Sequence, residues 1–90
     1  MLNVFDKVPR IILIELLKGN NSITSLQRLT GFSYSALHKS IDELENFKDK
    51  DGKSKPLVKT VKRGRERICT LTEFGKQMAK WLENISQAVY

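Results

Sequence analysis

Nine lysines and arginines fall within twenty positions, Lys48 to Arg67, against three carboxylates. The net of +6 in that stretch equals the formal charge of the whole 90-residue chain, and residues 1–47 and 68–90 each balance to zero. A basic excess confined to one segment is what neutralising the phosphates of a polyanion requires, more than a high isoelectric point alone. The plain alternative is a solvated loop, since Lys and Arg mostly sit on surfaces. The densest part is Lys59, Lys62, Arg63, Arg65 and Arg67, with Glu66 the single acid among them. That exceeds what guarding an edge strand against aggregation needs.

Other reactive side chains are sparse. His38 is the only histidine and Cys69 the only cysteine. A lone His with no Cys near it cannot make a metal site, and no CxxC motif or disulfide framework exists. With no carboxylate partner evident for His38, general-base chemistry has no support either. Cys69 stands two before Leu71, on the same face of a strand, and reads as a small buried hydrophobe. No phosphate-cradling glycine loop or nucleophile–base pair occurs. The sequence therefore predicts no enzyme, no cofactor and no metal.

These residues need elements to place them. Asp6 as cap and Pro9 in the first turn predict a helix over 7–18. Its Val8, Ile11, Ile12, Leu13, Ile14, Leu16 and Leu17 are too many for one apolar stripe, which predicts burial on several sides, including a subunit contact. Thr24 with Gln27 three residues on is a capping-box pattern, and Gly31 is a stop signal, giving a short helix over 24–30. Ser33 caps a third helix, read over 33–48, with Leu37, Ile41 and Leu44 as its apolar stripe. The run KDKDGKSK, Lys48 to Lys55, is a loop. Residues 57–71 read as a β-hairpin about Arg63-Gly64, although neither strand alternates cleanly enough to set the register. Thr72 caps a last helix over 73–89. Its Phe74, Met78, Trp81, Ile85 and Ala88 repeat at four, three, four, three, with Leu82 and Val89 beside them. The fold class is α+β, mainly α with a small hairpin, in a single domain over 1–90.

This order of elements resembles a winged helix–turn–helix. The segment SITSLQRLTGFSYSALHKSIDELE, Ser22 to Glu45, is similar to the two-helix reader of the MarR, ArsR and PadR transcription regulators. CTLTEFGKQM, Cys69 to Met78, is similar to the junction that joins their wing to the following helix. Between them KTVKRGRER, Lys59 to Arg67, occupies the wing position. The chain's length resembles that of compact winged-helix proteins of archaea and their viruses. It has neither the Cys and His clusters of metal-sensing ArsR proteins nor the long extra helices of full MarR proteins.

The resemblance implies a homodimeric, sequence-specific regulator that binds double-stranded DNA. The third helix would read the major groove through Ser33, Tyr34, Ser35, His38, Lys39 and Asp42. The wing residues Lys59, Lys62, Arg63, Arg65 and Arg67 would grip the backbone or the minor groove. Ile12, Leu16, Phe74, Met78, Trp81, Leu82, Ile85 and Val89 would form the dimer interface, making the last helix a C-terminal dimerisation helix. Two other functions suit the same fold: a non-specific architectural DNA-binding protein, and a protein–protein interaction module. The longest strictly apolar run, Ile11 to Ile14, is far short of the ~20 residues of a membrane span. With no signal-peptide pattern at the N-terminus, the expectation is a cytoplasmic protein in a reducing compartment, nucleoid-associated if cellular.

Overall fold

The computed structural model describes residues 6–19 and 22–89, with side chains as far as Ile85. Helices α1 (Lys7–Leu17), α2 (Ile23–Thr30) and α3 (Tyr34–Glu45) are followed by strands β1 (Val58–Arg63) and β2 (Glu66–Leu71), then by helix α4 (Glu73–Val89). The fold is α+β: four helices and one two-stranded antiparallel hairpin.

Local chemistry starts and stops several of these elements. The Ser33 hydroxyl accepts from the Ala36 N–H at 3.2 Å, and the Thr72 hydroxyl accepts from the Gly75 N–H at 2.9 Å. Each satisfies one of the donors a helix start leaves without a partner. Gly31 ends α2 in the left-handed region, at φ 76°, where a side chain is disfavoured. Two expected caps differ. Asp6 makes no side-chain cap on α1. Helix α2 begins one residue before Thr24, with Ser22 as its cap accepting from the Ser25 N–H at 3.1 Å. Ser22 is also bridged to Ile68, so the sheet pins the start of this helix.

Helix α3 ends at Glu45 and does not reach residue 48. Asn46 turns out of helical geometry, and its side-chain amide caps the Asp42 carbonyl at 2.8 Å. The chain then makes a small closed excursion. Asp49 Oδ1 accepts from the N–H groups of Asp51 and Lys53, both at 2.9 Å, and Lys48 bridges to Ser54. The return is stitched to the end of α3: Lys55 N–H donates to the Phe47 carbonyl and Leu57 N–H to the Leu44 carbonyl.

The core joins all the helices to the hairpin. Ile12, Leu13 and Leu16 of α1 meet Ile23 and Leu26 of α2, Leu37, Ile41 and Leu44 of α3, Val58, Cys69 and Leu71 of the hairpin, and Ala79 and Leu82 of α4. Helix α1 is enclosed by α4, α3, α2 and β2. Most of its apolar residues are thus taken up within the chain: Ile12, Leu13 and Leu16 lie in the core and Val8, Ile14 and Leu17 pack against it, while Ile11 is half-buried outside that cluster. Ile12, Leu16 and Leu82, expected at a dimer seam, are core residues at 0%, 7% and 1% exposure. Phe74 is half-buried against the Phe47 ring, 6.4 Å between centroids, with the Lys55 ammonium 5.5 Å from its centre. Of the expected seam, Met78 and Ile85 are half-buried, Trp81 is 48% exposed, and Val89 lies outside the described side chains. No helix among the described residues is long and apolar enough to cross a membrane.

Candidate nucleic-acid interface

The hairpin places the basic residues. Its register pairs Arg63 with Glu66, leaving Gly64 and Arg65 as a two-residue turn. Gly64 takes φ 62° while Arg65 stays at negative φ, the arrangement of a type II′ turn, whose twist matches that of the strands. Side chains alternate between the two faces of a strand. Thr60 and Lys62 of β1 therefore share a face with Arg67 and Cys69 of β2, and this face lies against α3. Lys59, Val61 and Arg63 are on the opposite face and are exposed.

Arg67 does not project to solvent as its place in the basic run suggests. Its Nη2 lies 2.7 Å from Asp42 Oδ1 and 3.5 Å from Glu45 Oε1, and its Nη1 lies 3.0 Å from His38 Nδ1. The guanidinium is thus spent on holding the hairpin to α3. Arg67 stands directly across from Lys62, a repulsive pairing that the two carboxylates offset. Glu45 closes the same junction from its other oxygen, which accepts from the Thr60 N–H at 3.1 Å and the Thr60 hydroxyl at 2.9 Å. That carboxylate caps the outer edge of β1, where an exposed N–H would otherwise invite another strand. The Thr24 hydroxyl donates to Glu66 Oε1 at 2.5 Å, tying α2 to β2. The sequence marks Thr24 only as a cap and Glu66 only as the one acid of the basic run, and gives Glu45 no role; none of the three is read from it as a site residue. Each pairs across 15 or 42 residues, a distance at which sequence spacing carries no signal.

This junction divides the expected reading face of α3. At ~100° per residue, Tyr34, His38, Asp42 and Glu45 share the side turned to the hairpin. Ser35 and Lys39 turn further outward and are exposed. Ser33 is exposed but its hydroxyl is committed to the cap. His38 and Asp42 are exposed but engaged with Arg67.

The cations left over are Lys59, Lys62, Arg63 and Arg65. None makes an ion pair among the described residues, whereas Lys18, Lys55 and Lys76 do. Arg63 and Arg65 stand at the hairpin turn, Lys62 on the face toward α3, and Lys59 near the base of β1 on the opposite face. Burial pushes the Cys69 thiol up to about 11, with nearby Arg67 lowering it and Glu45 raising it by lesser amounts. The site therefore presents fixed positive charge and hydroxyls, with its one thiol kept neutral and enclosed. Among the described residues no group of three or more His, Cys, Asp or Glu is placed to hold a metal ion. Comparison with protein-family models, curated proteins and solved structures finds no significant match.

Proposed function

We propose that the chain is a winged helix–turn–helix protein that binds double-stranded DNA as a homodimer and regulates transcription. In this reading α2 and α3 are the helix–turn–helix, the β1–β2 hairpin is the wing, and α4 carries the dimer contact through Trp81. The observation that carries the reading is the hairpin, which bears four exposed cations without ion pairs, together with the exposed Ser35 and Lys39 of α3. Lys39 and Ser35 would meet base edges, and Lys59, Lys62, Arg63 and Arg65 the phosphates.

One observation favours a second reading, non-specific architectural binding. Arg67 engages His38 and Asp42, which leaves α3 fewer groups to discriminate bases. Titration of duplexes at several salt concentrations, followed by selection from random oligonucleotides, separates the two. A regulator enriches one sequence and binds it at least about a thousandfold better than random duplex. An architectural protein shows the salt dependence without enrichment. Absence of duplex binding at low salt would instead leave the interaction-module reading.

A further inference from the structure

Between α3 and the hairpin runs an open crevice of about 410 Å³, continuing into a second hollow of about 250 Å³ beside Tyr34 and Thr24. His38, Arg65, Glu66 and Arg67 line both. The polar groups of the walls are largely committed to one another. Glu66 accepts from Thr24, Thr60 is bound to Glu45, and Arg67 is held by three partners. What remains to face the crevice is Lys62, Arg65, one nitrogen of His38 and the second carboxylate oxygen of Glu66, with Tyr34 at the second hollow.

That nitrogen has a defined role. A guanidinium only donates, so His38 Nδ1, 3.0 Å from Arg67 Nη1, must accept. The neutral ring then carries its proton on Nε2. Arg67 thereby orients His38 as a donor, much as a buried partner sets the tautomer of a histidine ligand. Lys62, Arg65 and the His38 N–H converge on the crevice, with Glu66 the one acid in its lining, so its two unpaired cations leave a net positive charge. A base edge presents donors as well as acceptors, whereas a phosphodiester presents acceptors only and bears the matching charge.

We propose that this crevice seats one backbone phosphodiester of the bound DNA, with His38 Nε2–H donating to a phosphate oxygen between Lys62 and Arg65, and Arg67 as the positioning residue. The inference rests on the DNA-binding reading above. Two measurements test it. Long-range ¹H–¹⁵N spectra of the free protein at neutral pH report the tautomer without DNA. The Nε2-protonated form is expected, and an Nδ1-protonated ring would overturn the assignment. The second is anisotropy with two unrelated duplexes of about twenty base pairs, for wild type, His38→Ala, His38→Gln and Lys62→Ala. His38→Ala should weaken both duplexes by about tenfold, the scale of a hydrogen bond to a charged group. Because the donor removed is neutral, the salt slope should not change. Lys62→Ala should lower that slope by about 0.9 for each protomer bound. His38→Gln, whose amide can both accept from Arg67 and donate outward, should recover part of the affinity. Binding by His38→Ala within twofold of wild type, or a weakening confined to one sequence, removes the phosphate seat while leaving DNA binding intact. A folded wild type that binds neither duplex removes both readings.

Discussion

Gly75, in the first turn of α4, lies directly against the backbone of Leu57. A Cβ built at Gly75 would enter the Leu57 carbonyl oxygen and come within 2.9 Å of its carbon. The same carbonyl accepts from the Thr72 N–H at 3.1 Å, so it is held from the α4 side and cannot swing away. The start of α4 and the start of β1 are therefore built as one close backbone contact.

Gly75→Ala should destabilise the protein by about 2–3 kcal/mol, the cost typical of overpacking. Alanine's better helix propensity, worth about 1 kcal/mol over glycine, works the other way and is too small to prevail. Urea unfolding reads the balance. An unchanged midpoint would show that α4 can move off Leu57.

Arg67→Ala should cost about 1–2 kcal/mol, because it leaves Asp42 and Glu45 without their cation and removes one of the ties between the hairpin and α3. The cost stays modest because the Asp42 carboxylate is 61% exposed and screened by solvent. Arg63→Ala and Arg65→Ala, on exposed side chains, should each change stability by under about 0.5 kcal/mol. Denaturant midpoints of the three variants compare them directly. Equal effects would mean the Arg67 cluster does not anchor the hairpin.

The Cys69 thiol, buried and raised to about 11 from 9.0, should resist a thiol reagent at pH 8 until the chain unfolds. Stability follows with a definite sign. Above pH 9 the unfolded thiol ionises while the folded one keeps its proton, so stability falls as pH rises from 9 towards 11, by roughly 2–3 kcal/mol in all. Cys69→Ala should flatten that part of the profile relative to wild type, whatever it does to stability at neutral pH. Rapid labelling of the native protein would contradict the burial.

If α4 carries the dimer contact, Trp81→Lys should convert a dimer into a monomer, since a charge there opposes burial of the seam. Sedimentation of both proteins reads the mass. With Ile12, Leu16 and Leu82 in the core, the seam reduces to Trp81 with the half-buried Met78 and Ile85. A wild type that stays monomeric at tens of micromolar removes the dimer.

The paired change Arg63→Ala and Arg65→Ala should weaken binding to any duplex by similar factors. The logarithmic salt slope should fall by about 0.9 for each phosphate no longer neutralised. In a dimer that is as many as about four phosphates, two per protomer. An unchanged slope would move the phosphate grip elsewhere, to Lys59 or to the Lys48–Lys55 loop.

What the sequence determined by itself was local. The helix caps at Ser33 and Thr72, the stop at Gly31, the Leu37, Ile41 and Leu44 stripe and the hairpin about Gly64 are each decided within about one turn of chain, where spacing is informative. Other features depended on which elements meet. Which face of the hairpin is buried followed from its docking on α3, because its strands alternate too poorly to choose a face. The cap of α2 falls at Ser22 because the sheet pins that residue to Ile68. Arg67 resembles the rest of the basic run until packing sets it beside Asp42 and Glu45, and the apolar excess of α1 resembles a subunit surface until α4 closes over it. Charge and hydropathy are properties of single residues. Whether a charge is neutralised or an apolar face covered depends on partners brought together from distant parts of the chain, and only the tertiary structure supplies those.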